Sequence, residues 1–368
     1  MNTAKKNNIF QYLKCLAIIM VIDDHCSTRI GLLSSLFPYN SFYMPMFVFI
    51  SGYFYREEPV VKGIKHRAKN LLLPYIAWAF FGLILAYGLE KLCGVVWYRS
   101  PFTLNSILKL LFSDPFSGLT EPSWFALMLF WVSVLYNIFS RVRSLATKQS
   151  DYLFCAVFTL AGFVCLLYCM RKYLYGWRLF CVRTLWYIQF YHLGVMFKKY
   201  LEKAILKVKP YIIIACCIII NVILIVTQPT ISFVTTKAMG SFYSWWTPLL
   251  TSITGTLFWY EIMKAVSEKF GTSKAVDFVA NNTFTIMSCH MVFINIPNFY
   301  AYYQRLSGNV RFSDFNTEEF IHNAGIRFSN NTRLVGFFCG LIGSLLTVYL
   351  IAKLKEIFSK PVVKTIED

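Results

Sequence analysis

The chain has 368 residues, of which 57% are hydrophobic, 18% aromatic and only 15% charged. A soluble domain carries about a quarter charged residues, so this composition excludes a soluble enzyme or binding module. The net charge of +18 comes from 36 Lys and Arg residues dispersed between apolar runs, a distribution that argues against a nucleic-acid-binding patch and for membrane topology.

Apolar runs of about 17–25 residues, each able to cross about 30 Å of hydrocarbon, recur from end to end. They predict spans near 9–27, 36–55, 71–89, 124–140, 152–170, 179–197, 211–227, 244–263, 283–300 and 334–352. The expected fold is all-α: a polytopic integral membrane protein of about ten transmembrane helices, a single membrane domain over residues 1–368 without a separate soluble domain. Lys5 and Lys6 precede the first run, but no small-residue cleavage site follows it, so it reads as an uncleaved helix. Basic residues are denser in 56–70, 141–150, 198–209, 264–274 and the tail after 352 than in the alternate segments, which hold Arg29 and Lys237 among others. The positive-inside rule then places both termini in the cytoplasm. Most of the 11 cysteines, including Cys155, Cys165, Cys169, Cys216 and Cys217, lie in apolar runs without metal-ligand spacing and read as small hydrophobes. The segment 301–333 reads either as a cover for an outer opening or as a plain connection.

The first predicted helix contains Lys14, Asp23, Asp24 and His25, and an ionisable group near the centre of a membrane helix costs about 2.5–3.5 kcal/mol. Lys14 and His25 are eleven residues apart, close to three turns, which puts them on one face about 16 Å apart along the axis. That face is expected to line a polar cavity; the alternative is an interfacial Lys14 with Asp23–His25 as the helix end. In the second helix Pro45, Ser51 and Gly52 permit a bend and close approach of a neighbour, and Tyr53 follows them. Lys62, Lys65, His66, Arg67 and Lys69 precede Pro74 and Tyr75. This basic cluster suits a phosphorylated cytosolic donor, or equally the topology signal with lipid headgroup contact. Further along, Trp124 and Phe125 open the fourth span, Asn281, Asn282 and Thr283 open the ninth, and His290 lies inside it. Trp124 alone reads as an interface aromatic, and His290 as either a packing or a functional histidine.

These residues, in this order, resemble the membrane-bound acyltransferase 3 superfamily, and within it the fucose 4-O-acetylase-like branch of glycan O-acetyltransferases. The family's first helix carries a basic residue, ten intervening residues and a histidine, matched here by Lys14 and His25. Phe47 to Tyr53, Arg67 to Tyr75, Ser123-Trp124-Phe125, Phe190-Tyr191-His192-Leu193-Gly194, and Asn282-Thr283 with His290 are similar to later landmarks. Two positions depart. Tyr43 stands where the branch commonly has a second histidine, and Asp23 and Asp24 stand where small or apolar residues are usual.

The resemblance implies transfer of an acetyl group from cytosolic acetyl-CoA, as co-substrate, to a hydroxyl of a surface polysaccharide or its lipid-linked precursor (O-antigen, capsule or exopolysaccharide) at a bacterial inner membrane. No permanently bound cofactor, metal or nucleic acid is implied; membrane lipid surrounds the chain. His25 is expected to act as general base or transient acyl carrier, with Lys14 and Asp24 beside it. Arg67, Lys65 and Lys69 are expected to bind the donor, and Ser51, Tyr53, Trp124, Asn282 and His290 to line the acceptor site or channel. With His25 about 24 Å along the helix from Ile9, a through-membrane channel follows. The competing readings are a transporter or flippase of lipid-linked glycan, and a glycan polymerase. A transporter would be expected to show inverted repeats or to spread its polar groups over many helices.

Overall fold

The computed structural model describes residues 3–26, 33–98, 103–144, 150–170, 172–233, 244–325 and 329–359. Arg29 and Lys237, used above for orientation, and the end of the tail lie outside the described residues. The helices are α1 (Thr3–Cys26), α2 (Tyr39–Tyr53), α3 (Val60–Arg67), α4 (Leu73–Cys93), α5 (Leu104–Lys109), α6 (Trp124–Ser144), α7 (Ser150–Cys169) and α8 (Gly176–Met196). They continue with α9 (Glu202–Ile205), α10 (Pro210–Thr227), α11 (Thr247–Phe270), α12 (Lys274–Asn281), α13 (Thr283–Leu306), α14 (Thr317–His322) and α15 (Arg333–Ser359). Every predicted apolar segment lies on one of them. The largest boundary differences are where a helix continues into polar residues, at the start of α1, in the basic stretch from Val60 that precedes α4, and at the C-terminal ends of α11, α13 and α15; hydropathy registers only the apolar part of a helix.

Among the described residues, five helical stretches are long and apolar enough to cross a membrane by themselves: Val60–Cys93, Gly118–Arg141, Asp151–Cys169, Pro210–Thr227 and Arg333–Phe358. Four of these are largely uncovered, with only 17% of Pro210–Thr227 buried, as lipid-facing helices should be. By contrast, α1, α2, α8, α11 and α13 supply most of the main buried core. They also carry polar groups such as Asp23, Arg183, Glu261, Lys264 and His290. The apolar helices therefore form a shell, and the helices with weaker hydropathy form the centre where polar groups can meet.

Two prolines show how the backbone is satisfied within this bundle. Pro45 in α2 cannot donate to the carbonyl of Ser41, and the Ser252 hydroxyl of α11 donates to that oxygen at 2.8 Å instead. Pro74 sits just after a π-helical turn, Ala68–Leu72, that joins α3 to α4. The extra residue of that turn accommodates the missing N–H, so α3 and α4 run on as one helix from Val60 to Cys93.

The crossing of α2 and α8 is set by two glycines. A Cβ at Gly52 would overlap the Tyr191 carbonyl, and one at Gly194 would overlap the Phe49 carbonyl. Gly52→Ala is therefore expected to lower stability by about 1–3 kcal/mol or more, because the obstruction is backbone and cannot rotate away. Thermal unfolding of the detergent-purified protein checks this; an unchanged midpoint would contradict the crossing.

The described residues of segment 301–333 are folded against their neighbours. Trp97, Phe312, Phe315 and Phe320 form part of a second core, Trp97 Nε1 donates to the Phe320 carbonyl at 2.6 Å, and Asn295 Nδ2 of α13 donates to the Ala324 carbonyl at 2.9 Å. Within this segment, burial raises the Asp314 pKa, but the Asn330 N–H and Ser329 hydroxyl outweigh it and hold the carboxyl below its usual range.

Candidate active site

α1 and α13 lie side by side and run in the same direction. Gln11 Nε2 of α1 donates at 3.0 Å to Oδ1 of Asn281, which ends α12 just before α13 begins, and the rings of His25 and His290 face each other further along, with centroids 5.0 Å apart and planes inclined by 49°. The three-turn spacing on α1 thus has a counterpart on α13, where Thr283, Met287 and His290 follow the i, i+4, i+7 positions of one face. Beside Lys14 lies a cavity of about 150 Å³, whose lining includes Lys14, Ser51, Phe125, Thr283 and Met287 but neither histidine. Met287, one turn before His290, is the lining residue of α13 nearest that ring. The cavity wall is apolar apart from Lys14, Ser51 and Thr283, and Asp277 of α12 is the carboxylate in electrostatic range of Lys14.

Asp24 points to α2, where Tyr43 donates its hydroxyl to Oδ2 at 3.0 Å. Tyr43 thus holds Asp24. Asp24 and Glu121 are the carboxylates in electrostatic range of the His25 ring. Glu121 sits in a 3₁₀ turn, Gly118–Ser123, that leads directly into α6. A lone glutamate before an apolar run carries no motif, and sequence reasoning missed it.

The predicted lining residues separate. Ser51 lines the cavity, with its hydroxyl returned to the Phe47 carbonyl at 2.9 Å. Tyr53 instead donates to the buried Glu202 carboxylate at 3.1 Å. Asn282 closes α12 by donating to the Phe278 carbonyl at 2.7 Å, and the neighbouring Thr283 takes the lining position. Trp124 is covered by Arg183, whose guanidinium lies 3.9 Å above the ring and pairs with Asp114 at 2.6 Å. The sequence held a signal for this pair, an arginine in the interior of an apolar helix with an aspartate in a preceding loop. His192 is fixed between the Tyr136 hydroxyl and the Asp151 carbonyl, each at 2.9 Å, and acts in packing. Nearby, the hydrogen bond from Lys199 to Asp151 keeps that ammonium above its usual pKa range.

The basic cluster also divides. Lys62, Lys65 and Lys69 line an open groove of about 770 Å³ together with His66 and Glu58. Arg67 turns the other way: its side chain is 11% exposed, its Nη1 lies 3.3 Å from Glu58 Oε2, and it reaches Tyr191. Lys69 borders the groove and Leu71 borders the cavity, so the π-helical turn between them is a wall common to both.

A family model described as an acyltransferase domain matches residues 7–353. The chain belongs to the acyltransferase 3 family. It is an integral membrane acyltransferase, and the match covers the paired histidines, the cavity and the basic groove alike. No curated protein and no solved structure gives a significant match.

Proposed function

We propose that this acyltransferase moves an acetyl group from cytosolic acetyl-CoA to a hydroxyl of a surface polysaccharide or its lipid-linked precursor, as in the fucose 4-O-acetylase-like branch. In this reading it is a multi-pass protein of the bacterial inner membrane, with about ten crossings and both termini cytoplasmic. The observation that carries the proposal is the arrangement along α1: Lys14 borders a cavity, and His25, three turns further along the same helix, packs against His290. A sugar hydroxyl is a poor nucleophile near neutral pH, and a positioned imidazole that takes its proton or carries the acyl group supplies what it lacks.

The donor side of the proposal rests on the groove. Lys62, Lys65 and Lys69 follow i, i+3, i+7 spacing and point into open space, which suits the phosphates of coenzyme A. Arg67, held by Glu58, supports the wall behind them. The Lys65→Glu, Lys69→Glu double variant is expected to raise KM for acetyl-CoA at least about tenfold with little change in kcat, since it removes charge attraction without touching the histidines. An unchanged KM would place the donor elsewhere.

The reading as a whole is tested by supplying radiolabelled acetyl-CoA to inverted membrane vesicles and following label into base-labile esters of the lipid-linked glycan fraction. Incorporation that depends on this protein is the expected result; glycan free of label would overturn it.

A further inference from the structure

His290 is fully buried, and its Nδ1 lies 3.2 Å from the Ile286 carbonyl. A carbonyl only accepts, so in the neutral ring Nδ1 carries the hydrogen and Nε2 keeps its lone pair. That Nε2 has no hydrogen-bond partner among the described residues. An orphaned basic nitrogen at such depth is costly for a group whose only task is packing. It stands on the ring that faces His25.

We propose that the two histidines divide the transfer, with His25 carrying the acetyl group and His290 Nε2 accepting the proton of the acceptor hydroxyl. The inference rests on the acetyl-transfer reading above. In the first step a ring nitrogen of His25 attacks the thioester carbonyl; the N–C bond forms, the C–S bond breaks, and coenzyme A leaves as the thiolate. His25 is then an acylimidazolium, acetylated on one nitrogen and bearing hydrogen on the other, with no lone pair left to act as a base. In the second step the hydroxyl oxygen attacks the acetyl carbon, the C–N bond breaks with its electron pair returning to His25, and the hydroxyl proton passes to His290 Nε2. His290 then releases that proton to solvent, which balances the proton taken up by the thiolate. With ring centroids 5.0 Å apart, an oxygen bonded to a carbon on His25 comes within hydrogen-bond reach of His290, about 3 Å. Asp24 is less suited to the task because it already accepts from Tyr43.

The experiment uses the full-length protein in detergent with radiolabelled acetyl-CoA, first alone and then with a lipid extract of the host cells as hydroxyl acceptor. Label is measured after rapid denaturation at neutral pH. Wild type is expected to take label on His25 and pass it on. His290→Gln, which keeps an N–H donor for Ile286 and a similar volume, is expected to take label normally but pass it on about 100-fold more slowly. Added imidazole is expected to restore transfer in His290→Ala, a rescue that a structural role would not show. The inference is overturned if folded His290→Gln passes label on at the wild-type rate, if it takes none, or if imidazole gives no rescue. A wild type that never takes label from acetyl-CoA overturns the acetyl-transfer reading itself, and this inference with it.

Discussion

His25→Ala is expected to lower acetyl transfer by about 10³-fold or more, the loss that follows removal of a positioned base or nucleophile. The ring sits at the C-terminal end of α1 against His290 and is only partly buried. Membrane insertion and thermal stability should therefore stay close to wild type. The same variant should still bind acetyl-CoA, because the lysines of the groove are on α3 and the turn after it. Steady-state transfer with matched thermal unfolding curves measures both halves. Retained activity would remove His25 from the chemistry, whereas loss of folded protein would make it structural.

Asp114→Ala is expected to destabilise the protein by about 3–5 kcal/mol, the cost of leaving a buried charge without its partner. The Arg183 side chain is 5% exposed and bonds Asp114 at 2.6 Å. Without the carboxylate, the Trp124 ring below the guanidinium offers only about 0.5–2 kcal/mol of cation–π attraction. The double variant Asp114→Leu, Arg183→Met should recover most of the loss, since it removes both charges while keeping the volume filled. Thermal unfolding in detergent decides this. Equal midpoints for wild type and Asp114→Ala would mean that Arg183 finds another partner or water.

The helices were legible because each needs an apolar run, and α10 or α15 could hardly be anything else. What composition could not supply was the distinction between shell and centre. α1 and α13 are less apolar than the shell helices, but only their neighbours show that they are surrounded by protein. Within the site, Lys14 and His25 were legible because both lie on one helix, where spacing fixes geometry. His290 was visible as an unusual residue, but its partner lies 265 positions away in the chain and no local rule connects them. Arg67 and Lys65 looked equivalent in sequence. They differ because positions two apart on a helix point in different directions, so that one faces Glu58 and the other the open groove. Tyr53 and Trp124 were drawn toward the cavity by their place beside recognisable motifs, whereas Glu202 and Arg183 claim them in space.

The central claim is that this protein places acetyl groups on glycan hydroxyls through His25, and proton NMR of surface polysaccharide tests it most directly. Polysaccharide is compared from cells with the gene, without it, and with His25→Ala. The account predicts base-labile acetyl signals that appear only in the first; identical spectra from all three would contradict it.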